Sequence, residues 1–315
     1  MNRVGLGTSP VFFEHETGDH PECKERLGSI LKSLEFSSLW DQIEHFGPDG
    51  RDVLPFIERV HTREYMQEVF RICSQGGGVL DTGDTWAGPR SYDAAVLAVS
   101  TTLHAVDKIL DGELTSSFCA LRPPGHHARP GQAMGFCIFN NAAIAARYLV
   151  ESGKKKKVLV VDFDVHHGNG TQETFFEDES VFYLSSHQSP LFPGTGNPGE
   201  IGSGPGKGLT RNILLTRGDD DHVILERLQT ELELICKSFE PDFLVLSAGF
   251  DAYTEDPIGG LKMSYEGFSN LTKMLTGIAA QYCQGKVLSV LEGGYHLGDL
   301  GELVTQHIQR LREAV

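Results

Sequence analysis

The sequence predicts an α/β fold with a central, mainly parallel β-sheet flanked by helices, and three observations support it. Short apolar runs alternate with longer amphipathic ones, the pattern of βαβ crossovers. The runs VLVV (158–161) and FLVL (243–246) are apolar at every position, which suits strands covered by helices on both faces. Asp, His and Tyr residues follow directly after several of these runs, and the carboxyl edge of such a sheet is where ligands bind.

Taken in order, the apolar runs predict strands at Ser117–Leu121, Val158–Asp164, Val181–Ser185, Leu209–Leu215, Phe243–Ala248 and Val287–Leu291. The amphipathic patterns between and around them predict helices at 91–112, 140–152, 221–239, 265–283 and 299–313. The run Lys154–Lys157 closes the second of these helices and reads as cations solvated at a helix C-terminus. Residues 188–208, QSPLFPGTGNPGEIGSGPGKG, form a Gly/Pro loop of a length that is often functional. No linker of disordered composition interrupts the chain, so a single domain over 1–315 is expected.

Composition narrows the function. The 315 residues are 40% hydrophobic, include 36 glycines and carry a formal charge of −16. That balance lacks the basic footprint of nucleic-acid binding and fits a basic partner. No apolar run approaches the ~18 residues of a membrane helix, and MNRVGLGTSPVFFEHE has no signal-peptide core. Six widely spread cysteines contain no CxxC pair, so neither a disulfide framework nor a zinc knuckle is indicated. A reducing, cytoplasmic setting is expected, with no nucleic-acid or membrane partner. Two motif matches fail. His15-Glu16 has Asp19 where HExxH needs its second histidine, and GSGPGKG (202–208) has the wrong glycine spacing and no Ser/Thr for a phosphate loop.

The segment Val158–Gly170, VLVVDFDVHHGNG, is the most informative. A strand period of two puts Asp162, Asp164 and His166 on one side. Two carboxylates and an imidazole repel or compete there unless a cation sits among them, and mixed O/N ligation suits zinc. Asp251 follows another buried strand, the pair His126-His127 follows a Pro-Pro-Gly turn, and Tyr295 follows Gly-Gly after a fourth strand. Two Asp and one His leave an open position for water or substrate, the arrangement of a catalytic site.

These motifs resemble the zinc-dependent histone deacetylase superfamily, in its class II-like branch with bacterial deacetylases and acetylpolyamine amidohydrolases. The resemblance rests on RPPGHHA (122–128), GFCIFNNAA (135–143), VDFDVHHGNGTQ (161–172), FPGTG (192–196), AGFDAYTEDP (248–257) and LEGGYH (291–296). It implies a single arginase/deacetylase-like domain with one Zn²⁺ bound by Asp164, His166 and Asp251. It further implies that His127 is the general base and then acid, His126 its electrostatic partner, and Tyr295 the donor to the developing oxyanion. Asp162 would orient His126 and, with Ser185, help hold a structural K⁺. Asn169 stands where class I members carry an aspartate beside the second histidine. Phe136 and Phe192 would sandwich the acyl-lysine stem, Gly135 would accept from the substrate amide, and Ile258 and Leu261 would lie at the rim. Arg26 would line an internal acetate channel or sit on a surface helix.

The implied activity is removal of acetyl groups from the side-chain amine of acetyl-lysine in peptides or proteins, with hydroxamates expected to bind the zinc. Ile258 is apolar where polyamine-selective relatives carry an acidic gatekeeper, and 76–92 is too short for their channel-narrowing insertion. Hydrolysis of small acetylated amines such as acetylpolyamines is the alternative within the class. A non-catalytic acyl-lysine binding module is the alternative outside it.

Overall fold

Strands that are apolar at every position have no solvent face to offer, so helices must cover both sides. The computed structural model describes residues 2–81 and 83–314. Its strands are β1 (Val4–Gly7), β2 (Glu44–Phe46), β3 (Gly78–Val79), β4 (Trp86–Ala87), β5 (Ser116–Cys119), β6 (Val158–Asp162), β7 (Val181–Gln188), β8 (Thr210–Leu215), β9 (Phe243–Ala248) and β10 (Val287–Leu291). Eight of them form one sheet in the order β2-β1-β5-β10-β9-β6-β7-β8, and every pairing in it is parallel. β3 and β4 pair separately as an antiparallel hairpin.

The helices are α1 (Glu25–Phe36), α2 (Leu54–Ile57), α3 (Arg63–Ser74), α4 (Ser91–Leu110), α5 (Asn141–Glu151), α6 (Asn169–Phe175), α7 (Asp221–Phe239), α8 (Tyr265–Tyr282) and α9 (Leu300–Glu313). α4 and α5 pack on one face of the sheet, and α7, α8 and α9 on the other with α1 outside α9. Thr62, Asn140, Asp220 and Ser264 cap α3, α5, α7 and α8, each side chain accepting an N–H of the first turn. Such caps contribute about 1 kcal/mol each. β6, β9 and β10 are buried at every residue. At roughly 1.5–3 kcal/mol per buried large apolar side chain, these central strands anchor the core.

Two of the expected strands, Phe243–Ala248 and Val287–Leu291, have the observed bounds, and β8 and the later helices agree within two residues. The other edges shift: β5 ends at Cys119, two residues early, and β7 runs on to Gln188. The lysine run is only partly solvated. Lys155 is buried, its Nζ donating to the Asp242 carbonyl.

Candidate active site

The decisive local event is at the end of β6. The strand was expected to run through Asp164, but it stops at Asp162 because side chains take over the backbone partners. Asp164 N–H donates to Asp162 Oδ1 (3.3 Å), Val165 N–H to Asp251 Oδ1 (2.8 Å) and His166 N–H to Asp164 Oδ1 (2.9 Å). The turn separates residues that a continued strand would align. Asp162 faces His126, while Asp164 and His166 gather with Asp251 from the end of β9.

Ligand atoms of Asp164, His166 and Asp251 all lie within 4.8 Å of one another, and all three residues are buried. His166 Nδ1 is 3.0 Å from Asp164 Oδ1 and 3.0 Å from Asp251 Oδ2. Burial pulls its pKa down, but the hydrogen bonds to the two carboxylates outweigh this and push it up to about 10. Burial and the neighbouring Asp164 carboxylate drive Asp251 the opposite way from an ordinary carboxylate, upward. Two carboxylates buried this close together favour a positive charge between them. Space is kept for more. A Cβ on Gly293 would stand 2.5 Å from Asp164 Oδ2 and 2.8 Å from Asp251 Cγ, so only glycine fits beside these ligands. The donor set and its cradle fit a divalent cation such as zinc.

The tandem histidines are set apart by their partners. Gly125 and His126 N–H groups donate to Glu292 Oε2, fixing the turn. His126 Nδ1 lies 3.0 Å from Asp162 Oδ2, which also accepts from Tyr183 Oη. Burial lowers the His126 pKa, but Asp162 and Asp164 overcome it and hold the ring protonated, well above the ordinary value. His127 is held well below it, by burial first and then by His126 and His166. Its Nδ1–H donates to Asn169 Oδ1 at 2.8 Å, which leaves Nε2 as a free base.

Tyr295 reaches the centre from beyond β10. Its N–H donates to Asp256 Oδ2 (2.7 Å), and Arg26 lies 4.8 Å from its ring centroid. Arg26 is fully buried, not a surface residue, and donates to Glu22 and to the carbonyls of Glu292 and Gly294. A cavity of about 170 Å³ is lined by Asp84, His127, Gly135, Phe136, His166, Phe192, Ile258 and Tyr295. Phe192 stands 5.2 Å from His127 ring to ring, and Phe136 6.0 Å from Tyr295.

One expected rim residue is misplaced. Leu261 does not line the cavity; it is buried in the hydrophobic core. Ser185 pairs in register with Asp162 and is buried, its Oγ 2.9 Å from His187 Nδ1. Sequence reasoning overlooked three contributors: Asp84 at the cavity, Asp256 behind Tyr295, and Glu22, which joins Arg26 and Arg122 in a buried ionic cluster. Asp256 lies inside a quoted motif and could have been found there. His126, Cys137 and Glu292 make a second close grouping behind the site, but Glu292 is already satisfied by Gly125, His126 and Ser247.

The fold and this centre define an α/β enzyme with a buried carboxylate–imidazole cluster at the carboxyl edge of a parallel sheet. A histone deacetylase domain model matches residues 20–311. A probable deacetylase of Archaeoglobus fulgidus is 36% identical over 298 residues, covering 93% of this chain and 81% of that protein. Histone deacetylase 14, chloroplastic, of Arabidopsis thaliana is 34% identical over 313 residues, covering 94% of this chain and 74% of that protein. The crystal structure of the HDA15 HD domain is similar with a TM-score of 0.91 and 34% identity, over 98% of this chain and 90% of that one. The chain belongs to the histone deacetylase family and is a hydrolytic deacetylase. Among the described residues, no helix is long and apolar enough to cross a membrane.

Proposed function

We propose that this chain removes acetyl groups from lysine side chains of peptides or proteins. The carrying observation is the narrow cavity that has Phe136, Phe192 and Gly135 in its walls and reaches His127, His166 and Tyr295. Aromatic walls suit an aliphatic stem whose charge acetylation has removed. Gly135 offers its carbonyl to the amide N–H.

Asp164, His166 and Asp251 would hold one Zn²⁺, which when bound polarises the amide carbonyl and lowers the pKa of water. His127 Nε2 accepts the proton of the attacking water and later delivers it to the leaving amine. His126, kept protonated by Asp162, adds positive charge beside the reaction. Tyr295 Oη donates to the oxygen on which negative charge develops. Asp162 and Ser185 support a second, monovalent site for K⁺. The buried His187 is neutral, its pKa lowered by burial to about 3, and its Nε2–H is engaged with the Gly196 carbonyl. Ser185 must therefore donate to Nδ1, which frees its oxygen lone pairs for a cation.

We read residues 1–315 as one catalytic unit working in the cytoplasm, a reducing setting with which its six unpaired cysteines are compatible. Asp84 at the cavity favours one second reading, since its carboxylate would pair with the free ammonium of an acetylated diamine. The test is kcat/KM on an acetyl-lysine peptide against N-acetylputrescine in zinc-replete enzyme, with a hydroxamate control. Hydroxamate-sensitive peptide cleavage is expected; preference for the diamine would overturn the peptide assignment.

A further inference from the structure

The β3–β4 hairpin presents a face that catalysis does not use. Val79 and Trp86 are directly paired across it, so their side chains stand on the same side. They are 46% and 45% exposed, an apolar pair open to solvent. The pairing extends one step further, Leu80 N–H donating to the Thr85 carbonyl. With a period of two, Thr85 and Ala87 take the side opposite Trp86, and Asp84 lies in the bend that leads into β4. Thr85 and Ala87 are indeed buried, and Thr85 Oγ accepts the Phe136 N–H at 3.1 Å. The inner side of the hairpin is thus bonded to the cavity wall itself. Its outer side carries Trp86 and Val79, and Asp84, which lines the cavity, stands two residues before Trp86.

Asp84 comes two residues before Trp86, and two residues span at most about 7 Å, so Trp86 lies within that reach of the cavity-lining Asp84. A polypeptide whose acetyl-lysine fills the cavity has neighbours two or three residues away at the same reach. The face is therefore continuous with the reaction site, and only a substrate with a chain on either side of the lysine can occupy both.

We propose that Trp86 and Val79 form a substrate subsite for one large apolar or aromatic side chain flanking the acetyl-lysine. The proposal rests on the peptide reading above. It is tested with acetyl-lysine peptides in which Leu or Ser is placed at each position within three residues of the lysine. An end-blocked single acetyl-lysine and N-acetylputrescine serve as short substrates. Wild-type enzyme should prefer Leu over Ser at one position by about tenfold in kcat/KM, the size expected for partly burying one such side chain. Trp86→Ala should abolish that preference and Trp86→Phe should retain it. Both variants should process the single acetyl-lysine at the wild-type rate, which also shows that they fold. Peptide cleavage with no preference, or with one that survives Trp86→Ala, would overturn the subsite alone. Turnover of N-acetylputrescine with no peptide cleaved would overturn the peptide reading and the subsite with it.

Discussion

His126 and His127 are adjacent in sequence and alike in chemistry, yet one is charged and the other neutral. Both rings are buried, but the Asp162 and Asp164 carboxylates outweigh burial at His126, whereas burial, His126 and His166 hold His127 down, its Nδ1 having only the Asn169 amide as partner. A base must be neutral to work, so activity is lost as pH falls through the pKa of His127. That pKa lies below the ordinary 6.5, and the acid limb of kcat/KM should therefore fall below pH 6.5. His127→Ala should cost about 10²–10⁴ in kcat, with chelator-sensitive metal binding retained. A pH–rate profile and metal titration check both. The ring also depends on its neighbour Gly135, which has φ of +54° and whose added Cβ would lie 2.9 Å from His127 Cγ and 3.0 Å from Phe192 Cε1. Gly135→Ala should thus lower kcat/KM by about a hundredfold, the cost of displacing a reacting group by about 1 Å. Unchanged turnover of the short and long substrates would refute that account.

Among elements, the segment after β9 couples two parts of the site. Asp256 accepts the N–H of Tyr295 on Oδ2 and the N–H groups of Ile258 and Gly259 on Oδ1. Asp256→Asn would turn one acceptor into a donor facing an N–H. We expect about a tenfold or larger fall in kcat with little change in global stability, measured by steady-state kinetics beside thermal unfolding. This segment also marks the boundary of what the sequence discloses. The buried strands β6, β9 and β10 and the residues after them are legible because burial on two faces imposes continuous apolar runs. Which way a loop residue points is not, as Leu261 shows: both rim and core accept leucine, and tertiary packing places it in the core. The first 90 residues carry little periodic signal. β1 reads VGLG, and its glycines are demanded by close approach, a Cβ on Gly5 standing 2.5 Å from Leu114 Cδ1 and 2.7 Å from Phe46 Cε1. Such packing is invisible to periodicity. α1 has no side-chain cap, whereas α3, capped by Thr62, carried a readable signal.

For the molecule as a whole, the N-terminal segment is tied to the catalytic edge by charge. Glu22 accepts from Arg26 and Arg122, and all three are fully buried. Burial raises the Glu22 pKa, but Arg122 and the other cations outweigh it and hold it at about 2. The stabilisation is therefore present above the unfolded carboxylate pKa and lost as pH falls toward 2. Glu22→Ala would leave two guanidinium groups buried without their anion and should destabilise the fold by about 3–5 kcal/mol, read from denaturant midpoints. A loss under 1 kcal/mol would contradict this. The strand order has a consequence for synthesis. β10, the last of the described strands, lies between β5 and β9 in the middle of the sheet. A nascent chain that has not yet released residues 287–291 thus holds two halves, each with an unpaired inner edge, and such edges invite association with other chains. Tyr295 arrives with that same strand, so the reaction centre is completed only when the gap is closed. Turnover is then a readout of finished folding, and a ribosome-bound or truncated chain lacking this segment is both inactive and sticky.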